Sequence, residues 1–290
     1  MEKSNGVIVF GASGLIGRYL YTYLKNNGEK VIGTYFENPE EGLIHYDLVN
    51  SSIDELDLRD IKYAIISSAA TKLDKCKDNP EYSQKVNVFG IKKLIKEVSK
   101  KGIIPVFMSS ASVFNGLTGG YSEEDERDPI SLYGKQKVEV EDFLISNFKD
   151  YLIIRPGKIF GVQKCEGVLF TDWYEKYKKN EEILCADDEQ LAPTYAKDVA
   201  EGIAILIQKN CKGIYHVNYP EHFSRYEMAL NFFSFLGINY NKFRSCSIKD
   251  FNFSEKRMKN SYLNISKFIK ETGFRFTPLE ECYKEIIKNI

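Results

Sequence analysis

Short apolar runs alternate along the chain with longer segments in which apolar residues recur every three or four positions. The first pair is Val7–Phe10, which is wholly apolar, and Leu15–Leu24, whose apolar residues share one helical face until Asn27 and Gly28 end the pattern. Runs of these two lengths and periods are typical of a buried strand and an amphipathic helix. The pattern therefore predicts a strand, a tight turn and a helix.

The same alternation continues through the first 156 residues. Further strands are predicted at Lys30–Tyr35, Leu43–Tyr46, Ile61–Ser67, Ile103–Met108 and Tyr151–Ile154, with helical segments at 81–100 and 132–147. Strands that are buried on both faces read as continuous apolar runs. The pattern therefore predicts an α/β fold, a Rossmann-type doubly wound parallel sheet with helices on both sides.

The rhythm changes beyond Arg155-Pro156, where the sequence becomes irregular and rich in aromatic residues. Within this part, Lys197–Gln208 still has helical spacing and Gly213–Val217 still has the pattern of a strand. A smaller C-terminal substrate-binding lobe, interleaved with the last units of the sheet, explains both observations. The predicted division is a dinucleotide-binding domain at 1–156, a return of 195–218 to that domain, and a lobe formed mainly by 157–290.

Charge and cysteine content narrow the classes of function. The 290 residues include 40 Lys or Arg and 41 Asp or Glu, so no net field attracts nucleic acid or an anionic membrane, and a small-molecule partner is expected. The six cysteines are scattered without C-x-x-C or zinc spacing, which predicts reduced thiols and no metal site. Since no apolar run approaches the ~18 residues that span a bilayer, and no signal peptide is recognisable, we expect a cytoplasmic protein.

The segment GASGLIG places Gly11, Gly14 and Gly17 between the first predicted strand and the first predicted helix. There Gly11 permits a sharp turn, Gly14 lets the backbone approach a diphosphate, and Gly17 lets the helix pack on its strand. The helix N-terminus offers free N–H groups to the anion. An isolated glycine triplet is as often a structural turn, but the strand and helix around this one favour a nucleotide-binding role.

The end of the second predicted strand bears on the choice of cofactor. An acid at this place would bind the ribose 2′-OH of NAD, but the sequence reads GTYF over 33–36, with Glu37 just beyond. NADP(H) is favoured because no carboxylate at this place would repel a 2′-phosphate. NAD(H) remains an alternative because there is also no adjacent arginine to attract a 2′-phosphate. After the third strand, Asp47 either accepts a hydrogen bond from the adenine amino group or caps a helix.

The stretch SLYGKQK places Tyr133 four residues before Lys137, so on a helix the two side chains share a face. A phenol that acts near neutrality needs its pKa lowered from ~10 to near 7, about 4 kcal/mol. A cation ~4 Å away at an effective dielectric of ~20 supplies about that much. A second donor for a developing oxyanion is then required, and Ser110, after the fifth predicted strand, is the candidate. The alternatives are a chance surface pair and a loop-capping serine.

Together, GASGLIG, SSASVFNG, YGKQK and RPGKIFG resemble the extended short-chain dehydrogenase/reductase superfamily over nearly the whole chain. Finer features resemble its dTDP-4-dehydrorhamnose reductase-like, sugar nucleotide-binding branch, to which the regulatory β subunit of methionine adenosyltransferase is related. These features are Ala69-Ala70-Thr71, Asn87, Tyr121-Ser122-Glu123, Pro193-Thr194 and Asn260-Ser261-x-Leu263-Asn264.

The resemblance implies an NAD(P)H-dependent oxidoreductase that reduces a keto group of a nucleotide-linked 6-deoxysugar. Tyr133 would donate a proton to the ketone oxygen, Lys137 would hold the nicotinamide ribose and tune the phenol, and Ser110 would orient the substrate oxygen. The implied cofactor-binding residues are Gly11, Ser13, Gly14, Leu15, Ile16 and Gly17 at the diphosphate, Asp47 and Leu48 at the adenine, and Ala69, Ala70, Thr71, Asn87, Tyr133 and Lys137 at the nicotinamide.

Three positions depart from the pattern of that branch. Ala111 stands where an aspartate commonly follows the serine or threonine, Lys158 where a tryptophan commonly meets the sugar, and Met258 where a proline follows the arginine. The identities of the sugar and of the nucleotide are therefore not predicted. A homodimer is a possible oligomeric state. The alternatives are an NAD-dependent nucleotide-sugar epimerase and a non-catalytic NADP-binding regulatory subunit; a 4,6-dehydratase is disfavoured because Ala111-Ser112 replaces its acidic pair.

Four other features are interpreted as architecture. Trp173 belongs to an aromatic stripe that is typical of a core, and His216 lies in an apolar strand where a packed side chain is expected. The segment Ser224–Glu227 has the spacing of a helix capping box. The acid-rich run Glu123–Asp128 is most simply a solvated loop, although such a loop could close over a substrate.

Overall fold

The structure, a computed structural model, describes residues 6–163 and 169–289. In these ranges the strands are β1 (Gly6–Phe10), β2 (Val31–Tyr35), β3 (Ile44–His45), β4 (Ile61–Ile66), β5 (Ile104–Met108), β6 (Leu152–Pro156), β7 (Lys158–Phe160), β8 (Ile183–Ala186), β9 (Gln190–Leu191), β10 (Pro193–Tyr195), β11 (Gly213–Val217), β12 (Phe223–Ser224) and β13 (Phe243–Cys246). The α-helices are α1 (Leu15–Asn26), α2 (Leu73–Asp78), α3 (Pro80–Gln84), α4 (Ile91–Lys100), α5 (Leu132–Asn147), α6 (Phe170–Lys178), α7 (Ala196–Gln208), α8 (Arg225–Phe235), α9 (Ser266–Thr272) and α10 (Leu279–Asn289). Cys165, one of the six cysteines, lies outside the described residues.

Seven strands form one parallel sheet in the order β11-β6-β5-β4-β1-β2-β3. The chain winds outward in both directions from β1, whose neighbours are β2 and β4. In such sheets ligands bind outside the carboxyl ends of the strands, at the point where the strand order reverses. The predicted α/β fold is confirmed, and this edge of the sheet is where the site has to be sought.

Successive residues of β1 enter two separate cores, because side chains alternate across a strand. Val7 and Val9 pack in a cluster with residues of α1, α7 and α9, whereas Ile8 and Phe10 pack on the other face with residues of α4 and α5. Each face of the sheet is thus covered by helices. This burial on both sides explains why the strand reads as an uninterrupted apolar run.

A third core lies among the elements that follow β6 and is dominated by aromatic rings. Phe160, Phe170, Phe232 and Tyr283 belong to it, and so does Trp173, which is 6 % exposed. The assignment of Trp173 to a core is therefore confirmed.

Helix α8 of this lobe begins with the predicted capping box, in which the side chains of Ser224 and Glu227 each accept a hydrogen bond from the other's backbone N–H.

Two elements differ from the sequence prediction. The helical segment predicted at 81–100 consists of α3, a π-helical stretch at Lys85–Gly90, and α4. The strand predicted at 43–46 is paired only at Ile44–His45. At Gly90 a side chain would press on the carbonyl oxygen of Leu48, so the π-helical stretch packs tightly against the segment after β3.

Residues 254–264, which we call the strap, connect distant parts of the molecule. The Arg257 guanidinium binds Asp74 of α2 at 2.6 Å. The Asn260 N–H donates to the Gly116 carbonyl at 3.0 Å, in the loop that follows β5. Further along, the Ser261 N–H donates to the Gln190 carbonyl in the lobe at 2.9 Å. The strap therefore ties the sheet domain to the lobe along the carboxyl edge of the sheet.

Over the ranges 6–163 and 169–289, none of the helices combines the length and the apolar character that crossing a membrane requires.

Candidate active site

The turn after β1 is built around Gly11, whose φ of +87° is a backbone conformation that side-chain-bearing residues rarely adopt. A Cβ at this position would also overlap Ser68, which follows β4. The Gly11 N–H donates to Thr34 Oγ1 of β2 at 3.2 Å, and the Gly14 N–H donates to the Gly11 carbonyl at 3.0 Å. The glycine-rich segment is therefore a tight turn held between β2 and β4.

Helix α1 begins at Leu15 directly after this turn. No side chain caps the helix at Gly14, and its first turn carries no acid. A Cβ at Gly14 would meet only the Gly11 carbonyl, so the space in front of the helix is open. Uncapped N–H groups and the positive end of the helix dipole suit a diphosphate. Ser13 and Ile16 are partly exposed and Gly17 is buried. A Cβ at Gly17 would overlap the Gly11 carbonyl oxygen, so the helix packs directly on the turn.

Asp47 and Leu48 follow β3 on the side of the molecule where the adenine is expected. Asp47 Oδ1 accepts a hydrogen bond from the Val49 N–H at 2.8 Å, and Oδ2 accepts one from Asn50 Nδ2 at 2.7 Å. Burial acts to raise the pKa of this carboxyl, but these two donors outweigh it and lower the pKa. Asp47 therefore stabilises its own turn, and the carboxylate oxygens remain ionised acceptors.

The loop Ala69–Thr71, after β4, is held by one fully buried amide. Asn87 Oδ1 accepts from the Ala70 N–H at 2.8 Å, and Asn87 Nδ2 donates to the Ala70 carbonyl at 2.9 Å and to Gln136 Oε1 at 2.8 Å. Asn87 is 0 % exposed. Asn87 therefore positions this loop, in which Thr71 is exposed and Ala69 and Ala70 are partly buried.

Tyr133 and Lys137 lie one turn apart on the inner face of α5 and are 7 % and 2 % exposed. The Lys137 ammonium donates to the carbonyl oxygen of Met108, the last residue of β5, at 2.7 Å. It lies 5.4 Å from the centre of the Tyr133 ring. The lysine thus anchors α5 to the carboxyl end of the strand that leads to Ser110.

A glycine brings the start of α5 against the segment after β5. A Cβ at Gly134 would overlap the Ser112 carbonyl oxygen. Ser110 Oγ accepts from the Ser112 N–H at 3.1 Å and lies 3.1 Å from Ser112 Oγ. Ser110 therefore caps the short 3₁₀ turn Ala111–Val113, as the alternative interpretation expected, and this turn is packed directly against the helix of Tyr133 and Lys137.

The expectation that Lys137 lowers the pKa of Tyr133 is wrong for this structure. Burial raises the pKa of the phenol well above its usual value. Burial also lowers the pKa of Lys137 to about 7, against the raising effect of Glu141. Desolvation outweighs the attraction because both groups are enclosed and the ammonium is bonded to Met108. At neutral pH Tyr133 is consequently a protonated donor.

Glu141, one turn beyond Lys137, is the centre of a buried ionic network. Arg155 of β6 binds both of its carboxylate oxygens, at 2.9 and 2.6 Å. The Ser109 hydroxyl donates to Glu141 Oε1 at 2.5 Å, and Arg127 donates to Oε2 at 3.1 Å. Because a buried carboxylate is tolerated only when it is fully paired, these contacts lock α5 to β5 and β6.

The acid-rich run is less solvated than the sequence suggested. Glu123 Oε1 accepts the backbone N–H of His216 in β11 at 2.9 Å. Arg127 extends from the same run to Glu141 and to Asp142, at 2.7 Å from the latter. Residues 124–126 are exposed, as a solvated loop would be. The prediction therefore holds for the middle of the run and is wrong at Glu123, because its carboxylate is bound to the backbone of β11.

His216 is fully buried, which confirms that it is a packed side chain. Its Nε2 lies 3.2 Å from Arg155 Nη1, and its Nδ1 lies 3.1 Å from the Tyr121 carbonyl and 3.2 Å from the Asn264 carbonyl. Burial and then the Arg155 charge lower the pKa of the imidazole to about 3. The ring is neutral, with its proton on Nδ1.

Sequence reasoning missed two residues that shape the site. Gln136, between Tyr133 and Lys137, joins Asn87 to α5, and its Nε2 donates to Ser83 Oγ at 2.8 Å. Glu255 of the strap accepts a hydrogen bond from the Leu132 N–H at 2.9 Å. The position of Gln136 on the inner face of the helix was a usable signal. Nothing in the local sequence marks Glu255, whose partner is 123 residues away.

Known proteins resemble this chain over most or all of its length. A family model described as the RmlD substrate binding domain matches residues 5–290. Among curated relatives, the methionine adenosyltransferase 2 subunit beta of Xenopus tropicalis is 30 % identical over 77 % of this chain and 69 % of its own length. The spore coat polysaccharide biosynthesis protein SpsK of Bacillus subtilis is 28 % identical over 97 % of this chain and 96 % of its own.

A solved structure of similar shape is the dTDP-4-dehydrorhamnose reductase of Bacillus anthracis in complex with NADP. It superposes with a TM-score of 0.86 at 25 % identity, covering 99 % of this chain and 100 % of that one. The likeness thus includes both the sheet domain and the lobe.

Proposed function

Since the chain belongs to the RmlD substrate binding domain family, as its motifs indicated, we propose that it is an NAD(P)H-dependent reductase acting on a keto group of a nucleotide-linked 6-deoxysugar. The relatives at similar distance include the dTDP-4-dehydrorhamnose reductase of Bacillus anthracis, which binds NADP, and SpsK, named for polysaccharide biosynthesis.

The observation that carries the proposal is the placement of Tyr133 and Lys137. The two side chains share the inner face of α5, and the Lys137 ammonium binds the end of β5 two residues before Ser110. They therefore lie at the edge of the sheet where ligands of doubly wound folds bind. The glycine cradle at α1 lies along the same edge, after β1.

Each of the three side chains has a role in ketone reduction. A bound dihydronicotinamide supplies the hydride. Tyr133 donates its phenolic proton to the ketone oxygen, a role that suits a buried phenol with a raised pKa because the group stays protonated at neutral pH. Ser110 donates a hydrogen bond to the same oxygen as charge develops. Lys137 holds the nicotinamide ribose and, when charged, stabilises the phenolate that remains.

The cofactor is proposed to be NADP(H), with NAD(H) as the alternative. The hydroxyl of Thr34 at the end of β2 is taken up by the Gly11 N–H, and Glu37 beyond the strand is exposed. Among the described residues around the end of β2, no carboxylate is therefore fixed where it would repel a 2′-phosphate. The proposed dinucleotide-binding residues are Gly11, Ser13, Gly14, Leu15, Ile16, Gly17, Asp47, Leu48, Ala69, Ala70, Thr71, Tyr133 and Lys137, with Asn87 positioning the loop Ala69–Thr71.

A second candidate function is a non-catalytic subunit that binds NADP and regulates a partner enzyme. It is favoured by the likeness to the methionine adenosyltransferase 2 subunit beta. The presence of Ser110, Tyr133 and Lys137 together favours the reductase, since a regulatory subunit has no need of a proton donor. An NAD-dependent epimerase would use the same three residues but return the hydride to its substrate.

The proposal also includes the organisation of the chain. We assign residues 1–156, with 195–218, to dinucleotide binding and 157–290 mainly to substrate binding. The cysteines at 76, 185, 211, 246 and 282 are free, which fits a reducing cytoplasm. A homodimer is the oligomeric state we would test by sedimentation.

Titration with NADPH and with NADH, followed by turnover on a panel of keto-sugar nucleotides, tests the proposal. We expect saturable binding of at least one dinucleotide and ketone-dependent oxidation of it. Dinucleotide binding without turnover on any member of the panel would favour the regulatory subunit. Oxidised cofactor that co-purifies through gel filtration would favour the epimerase.

A further inference from the structure

Lys158 lies just beyond the carboxyl end of the sheet strand β6, on the side of the proposed reaction centre. It begins β7, two residues after the end of β6, and the neighbouring strand β5 leads to Ser110. The Ser109 N–H donates to the Ile154 carbonyl of β6 at 2.8 Å, and β6 continues two residues further, to Pro156. Because the strands are parallel, Lys158 and Ser110 emerge at the same edge of the sheet.

The charges around Lys158 come from both sides of the cleft. Arg225 at the start of α8 belongs to the lobe and is paired with Glu189. Arg257 belongs to the strap and binds Asp74, which lies on the helix after the loop Ala69–Thr71. The positive charges of both guanidinium groups act to lower the pKa of the Lys158 ammonium. Lys158 is also the strand partner of Pro193 in β10, so it lies where the chain passes from β6 of the sheet into the lobe.

The Lys158 ammonium has no hydrogen bond and no ion pair with any residue in 6–163 or 169–289, although the side chain is partly buried. Burial, and then the charge of Arg225, lower its pKa to about 8. Of the acids that act on it, Glu189 is already paired with Arg225, and Asp172 is exposed on α6. A partly desolvated cation without a partner is unfavourable, and an anionic ligand would offset that cost.

We propose that Lys158 binds an anionic group of the substrate, carboxylate or phosphate oxygens, beside the reacting sugar. This inference rests on the proposed function and adds a requirement to it. The substrate must present a negative charge near Lys158, at the start of β7. Arg225 and Arg257 strengthen the positive field at this place, and their own carboxylate partners keep them fixed. The anion comes from a carboxylate on the sugar or from the diphosphate of the nucleotide, and binding measurements distinguish these two sources.

The test compares two ligands that differ only at one carbon, UDP-glucuronate and UDP-glucose, by isothermal titration calorimetry with the cofactor-loaded protein at pH 7. We expect Lys158→Met to weaken UDP-glucuronate about tenfold or more, the size of one charge-assisted hydrogen bond. If UDP-glucose is unaffected, the anion is the sugar carboxylate; if both ligands weaken equally, the anion is the diphosphate. Unchanged affinity for both ligands would overturn the proposal.

Two further variants keep this result interpretable. Lys158→Arg retains the charge and is expected to preserve most of the affinity, which a purely structural role would not predict. Lys249→Met removes an exposed lysine of the lobe and should leave both affinities unchanged. Turnover separates the two levels of the argument. Reduction of a keto-sugar nucleotide, together with unchanged affinity of Lys158→Met for both UDP-glucuronate and UDP-glucose, refutes the anion subsite while the reductase stands. Binding that depends on Lys158 without any turnover supports the subsite and refutes the reductase.

Discussion

The carboxylate of Glu255 accepts a hydrogen bond from the backbone N–H of Leu132 at 2.9 Å and thereby caps the first turn of α5. Tyr133 is the next residue of that helix. Glu255 is 8 % exposed, and its own backbone N–H is held by Asp74 of α2 at 2.9 Å. The strap thus fixes the start of the helix that carries the proposed proton donor, and an anion at a helix N-terminus also benefits from the helix dipole.

Removing this cap should impair both stability and turnover. We expect Glu255→Ala to lower the free energy of unfolding by about 1 kcal/mol, the usual net contribution of one hydrogen bond, because the N-cap Ser131 is retained. It should reduce kcat more than KM because Tyr133 loses its fixed position. Glu255→Gln keeps an acceptor oxygen and should retain most of kcat. Urea unfolding and steady-state kinetics measure the two effects. A loss of the same size in Glu124→Ala, which removes an exposed acid, would contradict the assignment.

The phenol of Tyr133 is expected to be indispensable for reduction. Tyr133→Phe deletes the proton donor but keeps the buried ring, so we expect ketone-dependent NAD(P)H oxidation to fall by about 10²–10⁴-fold. Dinucleotide affinity should change little, as fluorescence titration of NADPH would measure. A variant that keeps turnover within a few-fold of the parent would refute the assignment. Tyr82→Phe, at an exposed tyrosine, is the matched control.

The close approach of α5 to the turn after β5 is possible because Gly134 has no side chain. Gly134→Ala would place a Cβ against the Ser112 carbonyl oxygen, and overpacking of this kind costs about 1–3 kcal/mol. We expect a lower melting temperature and a larger loss of kcat than of dinucleotide affinity, since the shift separates α5 from Ser110. Lys135→Ala, at the next and exposed position, should be nearly neutral by both measurements. Equal effects of the two substitutions would count against the close packing.

The buried imidazole of His216 predicts a loss of stability in mild acid. Its pKa in the folded chain is lowered to about 3, whereas an unfolded histidine titrates near ~6.5. Between these values the unfolded chain binds one more proton, so this group removes about 2 kcal/mol from the free energy of unfolding as the pH falls from 6.5 to 5. Above pH 6.5 both states are neutral at this ring and the contribution vanishes.

Urea unfolding at pH 7 and pH 5 measures this dependence. His216→Asn can still accept from Arg155 and donate to a carbonyl, so the difference between the two pH values should shrink in this variant, whatever its absolute stability. The exposed His45→Asn provides the reference for a change that should leave the difference intact. Imidazole nitrogen shifts that report a charged His216 at pH 5 would contradict the assignment.

The local pattern of apolar residues was sufficient to predict most strands of the sheet domain. The reason is that β1, β4, β5 and β6 are buried on both faces, and a short, wholly apolar run between turns is typical of such a strand. Periodicity could not reveal the π-helical stretch at Lys85–Gly90, since one extra residue in a turn leaves the apolar spacing nearly unchanged. The pairing of Glu255 with Leu132 was also beyond local pattern, because only the folded chain brings them together.

The chemistry at Tyr133 shows a different limit. Spacing placed the phenol and the Lys137 ammonium on one face, and the structure agrees. Spacing cannot say how deeply the pair is enclosed, and enclosure decides the direction of the pKa shift. An argument that counted the Lys137 charge but not the desolvation of the pair therefore predicted the wrong direction for the pKa shift of Tyr133.

The late position of the strap in the sequence has a consequence for biogenesis. A ribosome releases Leu132 well before Glu255, so in a growing polypeptide the Leu132 N–H can gain its carboxylate acceptor only after the strap has been made. Vectorial synthesis therefore delays the fixing of this helix start, which carries the proposed proton donor, until long after β1 to β6 have emerged.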